Sequence, residues 1–235
     1  MPASSAHTVK AFDQDLDELR ASVAGVGGWA EAALREAMEA LLRVDPEGAA
    51  SALDRAKIVT AVAEDVERRA LCVIALRAPR ADDLREVLTC LKIVGYIERI
   101  AGHAETVAVS VAEFDPAHAI DAPTTLGHLA RIVLEAIRDA LDGFAAQDAF
   151  RSGKVSEASH SAEALYAALL NSCLAQMRRD PRSIACVTSL LFVARGLARS
   201  ADQAANIARA VSFGVTGTSV PELRREPADL MALSA

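Results

Sequence analysis

The sequence predicts an all-α protein of six long helices, arranged as two pseudo-symmetric three-helix bundles. Three observations predict it. The stretch Leu84–Val111 returns one hundred positions later, without a gap, as Ile184–Val211. Val87, Leu91, Arg99, Ala101, Ala104, Ala108 and Val111 recur there as Val187, Leu191, Arg199, Ala201, Ala204, Ala208 and Val211, which is what a duplicated helical unit leaves behind. The first copy carries apolar residues at 87, 91, 94, 97, 101, 104, 108 and 111, the spacing of one face of a long core helix. The third observation is compositional: 52% hydrophobic residues but only 4% aromatic ones describe a core of Ala, Leu, Val and Ile, suited to close-packed helices.

The first helix is expected over 8–43, with Phe12, Leu16, Leu19, Val23, Val26, Ala30, Leu34, Met38 and Leu41 on one side. Gly27-Gly28 lowers its propensity by about 1 kcal/mol per glycine and marks a bend or a close contact. Asp45-Pro46 supplies an N-cap and an N1 proline for the second helix, which runs to Ala78 before Pro79. The third helix carries the repeated stretch to Phe114. Residues 115–123 read as the linker, so the first bundle spans 1–116 and the second 117–217. Helix four starts near Thr124, and a turn at 145–150 leads to helix five. Helix five ends at Arg178-Arg179, where cations suit the helix dipole. Asp180-Pro181 opens helix six, Gly214–Ser219 closes it, and 218–235 form a C-terminal tail.

Composition also excludes functions. The 235-residue chain has a formal net charge of −7 and no basic cluster, which argues against a nucleic-acid surface. The longest apolar run, Val187–Ala194, is interrupted by Thr188 and Ser189 and is far short of a membrane span. Residues 1–10 lack a signal-peptide segment, so a cytoplasmic location is expected. Cys72, Cys90, Cys173 and Cys186 form no CxxC pair and read as small buried hydrophobes in a reducing compartment. Gly-rich phosphate loops, GxSxG and a Cys–His pairing are all missing, so no enzyme is expected.

Several motifs together resemble the PhoU family of phosphate-signalling proteins, over most of residues 11–217. They are Phe12-x-x-Asp15-Leu16-x-x-Leu19, Ala75–Arg85, Leu91–Ile93, Ile97–Ile100, Ala104, Ala164–Tyr166, Asp180-Pro181, Leu190–Arg195, Asn206–Ala208 and Val215–Gly217. The resemblance implies two three-helix bundles and a regulatory adaptor, often a homodimer. Its implied partners are a phosphate ABC importer ATPase and a sensor histidine kinase, and it holds the phosphate-starvation response down when phosphate is ample. Two other readings stay open: a metal-binding carboxylate bundle, and a divergent paralogue serving another transporter.

The resemblance also implies Glu-x-x-x-Asp in each copy of the repeated helix, because residues four apart share one face and can share a cation. Here the pairs are broken. Glu98 faces Gly102 at its partner position, and Asp202 faces Ala198. Ala56, Val59, Ala63, Ser159 and His160 stand near acidic positions of the family, while Glu67 and Glu163 keep theirs. Any iron or zinc site would rest on Glu98 and Asp202, so no cofactor is expected. Glu157-x-x-His160 fits half of a di-iron motif, but no second copy exists. His103 lies about 140° round the helix from Glu98, poorly placed to share an ion with it. The candidate partner-binding cluster is Arg77, Arg80, Asp82, Asp83 and Arg85, at the turn into the third helix.

Overall fold

The computed structural model describes residues 3–114 and 122–218. Among the described residues six α-helices make the fold: α1 (Ala3–Arg43), α2 (Pro46–Arg77), α3 (Asp82–Ser110), α4 (Ala122–Ala145), α5 (Ser152–Arg179) and α6 (Ile184–Thr216). No strand occurs among the described residues. The all-α expectation holds. The linker expected at 115–123 and the tail expected at 218–235 lie almost wholly outside the described residues.

Local chemistry sets most helix ends. The Asp45 side chain accepts from the amides of Glu47 and Gly48 while Pro46 takes the first helical position. Asp180 caps in the same way, but it opens a 3-10 turn, Pro181–Ser183, before α6 begins at Ile184. The α part of the third helix ends at Ser110, and Val111–Glu113 tighten into another 3-10 turn. Gly217, at φ 72°, ends α6 in the left-handed region that glycine enters without cost.

In the first half α1, α2 and α3 pack on one another; in the second, α6 packs on both α4 and α5. The halves join through α3 on α6 and α1 on α4. The predicted face of α1 is buried from Leu16 to Leu41, with Phe12 packed on its edge. The Gly27-Gly28 pair proves to be a contact inside one continuous helix. A methyl group on Gly27 would stand 2.5 Å from a Leu141 Cδ atom, so the missing side chain lets α4 approach α1.

The α3 stripe is buried at 87, 94, 97, 101, 104, 108 and 111. Leu91 departs from it. Both Leu91 and its repeat Leu191 are half-buried, packed on the core from its edge. Cys72 also departs from expectation: it is exposed, whereas Cys90, Cys173 and Cys186 are buried, and all four are free thiols. Burial pushes the Cys90 thiol up to about 12. The segment Pro181–Thr216 is long and apolar enough by composition to cross a membrane, unlike the short run that the sequence shows. Its most apolar window is 61% buried inside the fold, and the residues involved pack on α3, α4 and α5.

Candidate functional site

The turn between α2 and α3 is held by left-handed backbone at Ala78 and Ala81, each at φ 46°. The structure splits the cluster read there. Arg77 turns back to α1, where its Nε donates to Asp15 at 2.9 Å. Arg80, Asp82 and Asp83 are exposed. Arg85 is half-buried and faces the second half of the chain: its Nε donates to the Gly214 carbonyl at 3.3 Å, and Asp82 pairs with its guanidinium. A methyl group on Gly217 would lie 2.8 Å from Arg85 Nη1. Arg85 therefore joins the start of α3 to the end of α6.

These contacts fix the direction of the central helix pair. Arg85 meets Gly214, Thr89 lies against Gly214, and His103 meets Ser200 and Gly196, so α3 and α6 run antiparallel. The two copies of the repeated stretch thus pack on each other. Near the middle, His103 Nδ1 lies 2.9 Å from Ser200 Oγ, and Ser200 Oγ donates to the Gly196 carbonyl at 3.0 Å. With that proton committed, Ser200 accepts from the His103 Nδ1–H. Burial, and then the nearby Arg199 charge, hold the His103 pKa below its ordinary value.

The carboxylates lie on the same two helices. Glu98 is half-buried on α3, and Gly102, one turn on, faces open space. Asp202 is half-buried on α6 and accepts a 2.8 Å hydrogen bond from Ser159 of α5. Ala198, one turn before it, is 1% exposed. Glu163 receives Arg195 Nη1 at 3.1 Å, with the guanidinium over the Tyr166 ring. Ala56, Val59 and Ala63 are core residues of α2, and Glu67 is exposed. Glu157 and His160 lie on an exposed face of α5. Among the described residues no three His, Cys, Asp or Glu side chains converge as a metal site would require.

A family model described as PhoU domain matches residues 23–111 and again 126–211. The chain belongs to the PhoU family. A phosphate-specific transport system accessory protein PhoU homolog from Zymomonas mobilis is 38% identical over 96% of this chain and 95% of its own length. A Caulobacter vibrioides protein of the same description is 32% identical over 93% of this chain and 95% of its length. The crystal structure of PhoU from Pseudomonas aeruginosa matches with a TM-score of 0.83 at 27% identity, covering 88% of this chain and all of that one.

Within the PhoU frame, sequence reasoning found the helix faces and caps but missed the links between distant segments. Arg20 pairs with Glu86 across α1 and α3, and Arg138 with Glu31 across α4 and α1 at 2.6 Å. No spacing rule announces pairs of that kind. For His103 and Ser200 a signal did exist: both are polar residues beside the apolar stripe of a repeated helix, where a partner is needed.

Proposed function

We propose that this chain is a regulatory adaptor of phosphate uptake. It is non-enzymatic, acts in the cytoplasm as a homodimer, and works through contacts with the ATPase of a phosphate ABC importer and with a sensor histidine kinase. In phosphate-rich conditions it lowers the phosphate-starvation response. Its units are residues 1–116 and 117–217, with 218–235 as a tail. The observation that carries the reading is the family match over both halves, since the relatives' own description is accessory to phosphate-specific transport.

The adaptor holds no resident iron or zinc. Supporting this, the carboxylate pairs are interrupted at Gly102 and Ala198, and Ser159 already occupies an Asp202 oxygen. One carboxylate binds a hard cation far less well than several converging ones. Partner contacts at the α2–α3 turn fall to the exposed Arg80 and Asp83, because Arg77 and Arg85 are engaged within the fold.

The test is genetic and then biochemical. Deleting the gene in its host should raise phosphate-responsive expression in phosphate-rich medium, and the tagged protein should retain the importer ATPase and the kinase. An unchanged expression profile would overturn the reading and favour a paralogue serving another transporter.

A further inference from the structure

The outward stripes of α3 and α6 adjoin to form one open face, since Lys92 of α3 lies 4.9 Å from the Phe213 ring centre on α6. In a chain of net charge −7, this face is rich in cations that lack counter-ions. Lys92, Arg99 and Arg199 are exposed and Arg209 is half-buried. None of the four makes an ion pair among the described residues. Arg99 lies over the Tyr96 ring at 5.9 Å, and Arg209 is held by Asn206. Neither Asp202, which accepts from Ser159, nor Glu98 makes an ion pair with them among the described residues. Phe192, 65% exposed, stands on the same stripe of α6.

We propose that this face docks an acidic protein segment, with carboxylates along Lys92, Arg99, Arg199 and Arg209 and an apolar side chain against Phe192. Spacing selects a segment over a small anion. At 1.5 Å per residue, Lys92 and Arg99 are about 10 Å apart along α3, and Arg199 and Arg209 about 15 Å apart along α6. One phosphate cannot span such distances, whereas a helix or extended strand bearing several carboxylates can. Unpaired arginines with their aliphatic stems on the surface supply attraction and contact area together. The proposal deepens the adaptor reading by naming the surface and the chemistry of a partner.

The experiment places a photo-crosslinking amino acid at Phe192 in the full chain, expressed in its own host, with Ile58 on α2 as the control site. Adducts are sequenced by mass spectrometry. The expected result is an adduct from position 192 on a peptide of net negative charge, lost in the Arg99→Glu, Arg199→Glu double variant. Both residues are exposed, so the variant should keep its helical circular dichroism; if it unfolds, Arg99→Gln with Arg199→Gln takes its place. In vitro, a labelled Glu-rich helical peptide should bind wild type on the order of tenfold tighter than the double variant, with the difference shrinking in high salt. Equal crosslinking from Ile58, an adduct on a basic peptide, or binding indifferent to the charge reversals would overturn the proposal. Full displacement of the peptide by millimolar inorganic phosphate would overturn it in favour of a small-anion site. Failure of the adaptor reading is separate: it shows as unchanged expression in the deletion strain, whatever is crosslinked.

Discussion

Ser159 of α5 donates a 2.8 Å hydrogen bond to the Asp202 carboxylate of α6, across the helix pair where a second acid would be needed to hold a cation. A neutral donor thus satisfies one carboxylate oxygen with a single bond and no charge. The expected outcome is a protein that purifies without stoichiometric iron or zinc and whose melting temperature is unmoved by EDTA. A metal bound only to the native state would shift that temperature by linkage. Stoichiometric metal by elemental analysis would contradict it.

The two interrupted pairs differ in how they would accept repair. Gly102 faces open space, so Gly102→Asp should fold and gain about 0.2–0.5 kcal/mol of helix propensity. Ala198 is buried, and Ala198→Glu should cost about 1–3 kcal/mol by placing a carboxylate in a packed contact. Urea titration of the two single variants separates these effects. Equal stabilities would show that position 198 is open.

Acid should weaken the α3–α6 contact through His103. Its folded pKa lies below the unfolded value of about 6.5, so the unfolded chain binds the proton more readily. The stability contributed by the neutral ring is complete above that unfolded value and is lost as pH falls through it toward the lower folded pKa. The His103→Gln variant should lose this part of the pH dependence, which lies below about pH 6.5. A wild-type slope that survives unchanged in the variant would assign it to other groups.

Core position and stripe position are different things on α3. Ile97 is buried, and Ile97→Ala should cost about 2–5 kcal/mol through lost transfer energy and a cavity. Leu91 is half-buried at the stripe's edge, so Leu91→Ala should cost about 1–2 kcal/mol. Chemical denaturation of both variants checks the order. A larger loss at Leu91 would place it deeper than its exposure indicates.

Arg85 should behave as a brace of the fold. Arg85→Ala removes the bond to the Gly214 carbonyl and should cost about 1–2 kcal/mol, whereas Arg80→Ala, fully on the surface, should change stability by less than about 0.5 kcal/mol. Gly217→Ala should also destabilise, because its φ of 72° is strained for alanine and its methyl group would press on the guanidinium. Thermal melts of the three variants decide the matter.

The sequence by itself determined the helices of this protein and their buried faces. Periodicity is a local property: Leu16, Leu34, Val87 and Val187 fall on faces whose burial depends only on 3.6-residue geometry. Caps are equally local, and Asp45 and Asp180 could be read from the proline that follows each. Only the tertiary structure decided how the two copies meet. The antiparallel pairing of α3 with α6 turns Arg85 from a surface charge into a brace and sets Ser200 against His103. The structure also decided that Gly102, in the second acid position of one copy, is open, whereas Ala198, in the first acid position of the other, is buried. The physical reason is that a repeat fixes which faces are apolar, whereas the side chains that line the contact between copies depend on where the helices cross.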